Sequence, residues 1–85
     1  MKESKILPVG SVVKLKNVEK PTMIVSLKTK DNTNTNYTYA GVPFPIGFIG
    51  SEALLYFNNE RIEDVYFLGY TDLEIEKYIK KMEGE

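Results

Sequence analysis

Eighty-five residues with a net charge of −1, 42% of them apolar and 27% charged, make one globular domain with a small core. The chain has neither cysteine nor histidine, which excludes disulfides, thiolate metal sites and every nucleophile arrangement that relies on an imidazole. Catalysis would have to rest on carboxylates, lysines, tyrosines and hydroxyls, in a cleft that a domain this small rarely supplies; a non-enzymatic protein without cofactor or metal is expected.

The opening stretch MKESKILPVGSVVKL holds no apolar run fit for a signal peptide. No segment approaches the roughly 20 apolar residues of a membrane span. A cytoplasmic chain is therefore expected. Leu7-Pro8-Val9-Gly10 reads as a bend, and SVVKLKNV after it alternates Val13 and Leu15 against Lys14 and Lys16, the pattern of a half-buried strand. Asn17 to Pro21 is turn material. TMIVSLKTK then reads as a second strand, with Ile24 buried and Met23, Val25 and Leu27 as further core candidates, so the two form a hairpin. KTKDNTNTNYT, residues 28–38, is a turn or a mobile hairpin tip.

Beyond the tip, TNYTYAGV sets Tyr37, Tyr39 and Gly41 against Thr38, Ala40 and Val42, again strand chemistry. Residues 53–58, ALLYFN, form a further short strand, and Asn58-Asn59-Glu60 turns out of it. Arg61 to Val65 fits a helical turn or an extended lead-in equally. Val65-Tyr66-Phe67-Leu68 reads as the final strand, ended by Gly69. Thr71 with Glu74 three residues on matches a capping box. Ile75, Tyr78, Ile79 and Met82 make one apolar stripe on a helix over about 72–83, with Gly84 where a C-cap is expected. The expected architecture is α+β but mostly β. It is one domain over 1–85, with a small curled antiparallel sheet of about five strands over about 10–69, an SH3-like half-barrel or meander, and one C-terminal amphipathic helix.

The loop between the tyrosine strand and the next, YAGVPFPIGFIG at residues 39–50, is the chain's unusual stretch. Its glycines suggest a phosphate cradle, but Pro43 and Pro45 lack the N–H groups that a cradle needs, and no Lys or Arg lies between Lys30 and Arg61. Held extended by its prolines, the loop could cap an open end of the sheet with Val42, Phe44, Ile46, Phe48 and Ile49. Five apolar side chains in eight residues are more than one loop normally buries, so a partner-binding surface is the competing reading, joined by Tyr37 and Tyr39 on the preceding strand.

Charge is lopsided. Residues 1–30 hold seven lysines against Glu3 and Glu19, whereas residues 31–85 hold ten acids against four bases. Opposite faces solvated by opposite charge explain this, as does a dipolar surface that orients a partner. The overall acidity and the spread of the lysines speak against nucleic acid, and a tyrosine stacking platform lacks the basic surround it would need. Glu60, Glu63 and Asp64 lack the ligand spacing and glycine of a calcium loop.

LPVGSVVKLK, MIVSL, Tyr37-x-Tyr39-x-Gly41-Val42-x-x-Pro45-x-Gly47, YFN at 56–58 and Ile62-x-x-Val65-x-Phe67-x-Gly69-Tyr70 follow one another in an order that resembles a family of small uncharacterised proteins of Gram-positive bacteria. It is a domain-of-unknown-function family often encoded beside LXG toxins of the type VII secretion system, and the similarity covers roughly residues 7–72. The resemblance implies an accessory role: a cytoplasmic partner or chaperone that holds a toxin or its targeting complex before export. It carries over no catalytic residues. An immunity protein, meeting a toxin through the acidic C-terminal half, is the alternative. A free sheet edge could also pair two copies as a homodimer.

Overall fold

A computed structural model describes residues 6–83. Five strands form one antiparallel sheet: β1 (Val12–Leu15), β2 (Thr22–Lys30), β3 (Asn36–Pro43), β4 (Leu55–Phe57) and β5 (Ile62–Phe67), followed by helix α1 (Leu73–Glu83). The spatial order is β4-β3-β2-β1-β5. The first four strands are thus a meander, and the fifth returns to pair with the first. β4 and β5 are the two edges and do not meet, so the sheet is open rather than closed.

The alternation on β1 does what the sequence predicts: Val13 and Leu15 are fully buried, and Lys14 between them is only half covered. On β2 the core positions are Thr22 and Ile24, while Val25 is exposed. The register explains this, since a shift between Ile24 and Ser26 leaves Val25 unpaired against β3, as a bulge does. β3 is buried on both faces, with Tyr39 and Gly41 on one side and Ala40 and Val42 on the other. Gly41 is required there. A Cβ would stand 2.5 Å from Thr22 Cγ2, 2.9 Å from the Met23 carbonyl oxygen and 3.3 Å from the Phe57 ring.

The hairpin tip is tied by its own side chains. The Asp31 carboxylate accepts from the Thr33 hydroxyl at 2.7 Å and from the Thr33 and Thr35 N–H groups at 2.9 and 3.0 Å. These bonds, the Thr33 hydroxyl foremost, hold its pKa below the ordinary aspartate value. A 3₁₀ turn at Asn59–Arg61 links β4 to β5. Arg61 to Val65, ambiguous by periodicity, is mostly strand: β5 starts at Ile62 and ends at Phe67, one residue short of Leu68. The far end of β5 is fastened where the Gly69 N–H donates to the buried Ser11 Oγ at 2.9 Å.

Helix α1 docks on the sheet. Ile79 is buried in the main cluster with Ile6, Val13, Leu15, Ile24, Tyr39 and Phe57, and Ile75 and Met82 pack against it. Tyr78, the fourth member of the predicted stripe, is exposed instead. The cap also differs by one residue. Asp72 Oδ1 accepts the Ile75 N–H at 2.9 Å, whereas Thr71 Oγ1 is buried without a hydrogen-bond partner. Asp72 is therefore the N-cap, one position later than the capping-box pattern placed it. The expected Gly84 C-cap lies outside the described residues.

Candidate protein-binding site

The predicted surface combined a loop with the strand that feeds it, and the structure separates the two. Tyr39 is fully buried, its ring stacked on Phe57 at 5.2 Å between centroids. Its hydroxyl donates to Asn59 Oδ1 at 2.7 Å and accepts the Leu7 N–H at 3.0 Å. Val42 is also buried. Neither side chain is available to a partner, because both sit where β3 is covered on its two faces. Tyr37, nearer the hairpin tip, is half-buried with its ring 5.8 Å from that of Tyr56. The predicted Val42 and Tyr39 contacts are thus core positions.

The loop itself stays outside. Phe44, Ile46, Phe48 and Ile49 are 42, 58, 66 and 61% exposed. Pro43 and Pro45 do not hold it extended. The Gly47 N–H bonds the Pro43 carbonyl at 2.7 Å, the Phe44–Pro45 peptide bond is cis, and the chain turns back on itself. Gly47 and Gly50 take φ of 90° and 140° at the corners. The base of the turn is pinned to the sheet by the Phe44 N–H, which donates to the Pro21 carbonyl at 2.9 Å. A 3₁₀ turn at Ser51–Ala53 then leads into β4. The result is an apolar tip anchored at its root, and it does not cap the open sheet.

A second apolar surface was read from sequence only as a final strand. Val65, Tyr66, Phe67 and Leu68 are all substantially exposed, as are Tyr70, Leu73 and Tyr78 beyond them. The signal was the unbroken apolar run itself, which resembles a buried strand, and only the neighbour of β5 tells the two apart. Beside Tyr70 and Tyr78, a shallow apolar groove runs between α1 and β2, lined also by Val9, Val25, Ile75 and Met82. Among the described residues, no group of three or more Asp or Glu side chains is gathered for a metal ion, and no helix is long and apolar enough to cross a membrane.

An open five-stranded sheet covered by one helix, with exposed apolar side chains gathered on an anchored turn and along one edge, defines a small mostly-β domain. The chain belongs to the family described as Domain of unknown function (DUF4176), which it matches over residues 6–78. No curated protein and no solved structure gives a significant match.

Proposed function

We propose that this chain is a non-enzymatic protein-binding module that buries the Phe44–Ile49 tip against a partner. The supporting observation is the contrast at that turn: four large apolar side chains stand well exposed on a segment whose root is hydrogen-bonded to the sheet. A turn fixed in this way loses little conformational entropy when it is covered, so apolar burial there translates efficiently into affinity. The resemblance to a family found beside LXG toxins supports a more specific reading. In it, the partner is an LXG toxin awaiting type VII export, and the chain acts in the cytoplasm as its accessory or chaperone.

Co-purification with the two halves of a neighbouring LXG protein tests this. Capture of the N-terminal export domain is the expected result, and Phe44→Ser with Phe48→Ser should weaken it at least about tenfold while leaving the circular dichroism spectrum unchanged. Capture of the C-terminal toxic domain alone would replace the accessory role with that of an immunity protein. Unfolding of the double variant would assign the two rings to the core and remove the proposed interface.

A further inference from the structure

β5 differs from every other strand in this sheet. In a half-buried strand alternate residues hide, because successive side chains point to opposite faces. In β5 and just beyond it, Val65, Tyr66, Phe67 and Leu68 are exposed consecutively, at 43, 55, 61 and 55%. Both faces of its C-terminal half are therefore wet. β5 pairs with β1 on one side only, so its other side is a sheet edge.

Edges of this kind are normally blunted by charge, bulges or brevity. The other edge, β4, is brief at three residues. The first half of β5 is blunted by charge: it carries Glu63 and Asp64, and Asp64 Oδ1 takes the Val65 N–H at 2.9 Å, while the register against β1 shifts once in each half, at Glu63 and at Tyr66. The second half, Tyr66 to Leu68, carries no charge at all. An acidic half and an uncharged apolar half thus follow each other along one edge.

We infer that the outer edge of β5 accepts an added strand from a partner protein, an extended segment in which apolar residues meet Tyr66–Leu68 and Lys or Arg residues meet Glu63 and Asp64. This rests on the protein-binding reading above and names the chemistry of what is bound. Main-chain hydrogen bonds would supply affinity, and the side chains flanking them selectivity. Charge decides between occupants. A second copy adding its own β5 by two-fold antiparallel pairing about Val65 would set Asp64 against Tyr66 and Glu63 against Phe67, so that all four acids of the pair would face aromatics and none a base. A basic segment meets those acids with opposite charge. Lys14 already shows the preference, its Nζ lying 3.3 Å from Glu63 Oε1, and the Arg61 guanidinium is turned to the Lys16 carbonyl.

Selection of a random peptide library, displayed on phage, against the full chain tests the inference. Enriched peptides should alternate apolar residues and carry Lys or Arg. Their binding should shift the backbone amide resonances of residues 62–68, weaken as salt rises, and weaken several-fold on Asp64→Asn. Tyr66→Lys with Phe67→Lys, both exposed positions, should abolish it in a folded protein. Enrichment of acidic peptides, shifts confined to residues 44–49, or the absence of any enriched peptide would overturn it. A dimer in solution that Tyr66→Lys with Phe67→Lys dissolves would also overturn it, by assigning the edge to a second copy. If toxin capture survives these edge substitutions yet fails with Phe44→Ser and Phe48→Ser, the inference falls and the proposed function stands.

Discussion

Tyr39 and Phe48 belong to one apolar stretch and meet opposite fates. Tyr39 lies fully buried on β3, stacked on Phe57 and hydrogen-bonded at its hydroxyl to both Asn59 and Leu7. Phe48, beyond the turn, is 66% exposed. Hydrophobicity does not separate them. What separates them is whether the backbone under each is paired. β3 has a strand on either side, which fixes where its side chains point, whereas the turn after Pro43 is fastened only at its root. The same residue chemistry is core where the sheet aims it inward and surface where the chain leaves the sheet.

Truncation should expose this difference at its largest. Tyr39→Ala removes a buried aromatic and should cost about 3–5 kcal/mol, a large part of the roughly 5–15 kcal/mol that holds a small domain together. Phe48→Ala should stay within about 0.5 kcal/mol. Urea unfolding followed by circular dichroism reads both, and equal losses would erase the distinction between core strand and exposed turn. Next in size is Gly41→Ala, which drives a methyl group into Thr22 and the Met23 carbonyl, at 2.5 and 2.9 Å. Overpacking of that kind should cost about 1–3 kcal/mol in the same assay. Tyr39→Phe keeps the stacked ring but strands the Leu7 N–H and Asn59 Oδ1, and should cost about 1–2 kcal/mol. A neutral result would mean that the ring alone, not its hydroxyl, holds Tyr39 in the core.

Much of this organisation was legible in the sequence. Alternation at Val13, Lys14 and Leu15 placed the first strand, and the stripe through Ile75, Tyr78, Ile79 and Met82 placed the helix, because each pattern is local. The helix's docking on the sheet, with Tyr78 left outside, was not in the pattern. What was not legible depended on pairing between distant segments. Val25 is exposed through a shift against β3, Tyr39 and Val42 are buried because β3 is covered on both faces, and the Val65–Leu68 run is exposed because neither face of that end of β5 is covered. Of the seven residues offered as a partner surface, Phe44, Ile46, Phe48 and Ile49 lie exposed together on the turn. The prolines argued against a phosphate cradle, since they remove N–H groups, but their turn geometry could not be read from composition. The helix start shows the same limit at closer range. Thr71 and Asp72 are both good cap residues, and spacing favoured the wrong one.

That one-residue difference gives the smallest and most specific expectation. The Ile75 N–H and the Tyr70 hydroxyl both donate to Asp72, at 2.9 and 3.0 Å, and these bonds, Ile75 first, hold its carboxyl below the ordinary aspartate pKa of 3.8. A carboxyl whose folded pKa is depressed binds its proton more readily in the unfolded chain. Its stabilising contribution is therefore fully present above 3.8 and is lost as the pH falls through the lower folded value. Asp72→Asn keeps a side-chain oxygen for the Ile75 N–H but removes the titration. The two proteins should therefore have similar thermal midpoints in acid and diverge as the pH rises past that window, the wild type gaining more. Asp31, whose carboxyl is lowered by the Thr33 hydroxyl, titrates in both and cancels in the difference. Thr71→Ala, by contrast, should leave the difference profile unmoved, since its hydroxyl has no partner to lose. A profile that follows Thr71 rather than Asp72 would return the helix start to the capping box and detach α1 from the Tyr70 hydroxyl that now steadies its first turn.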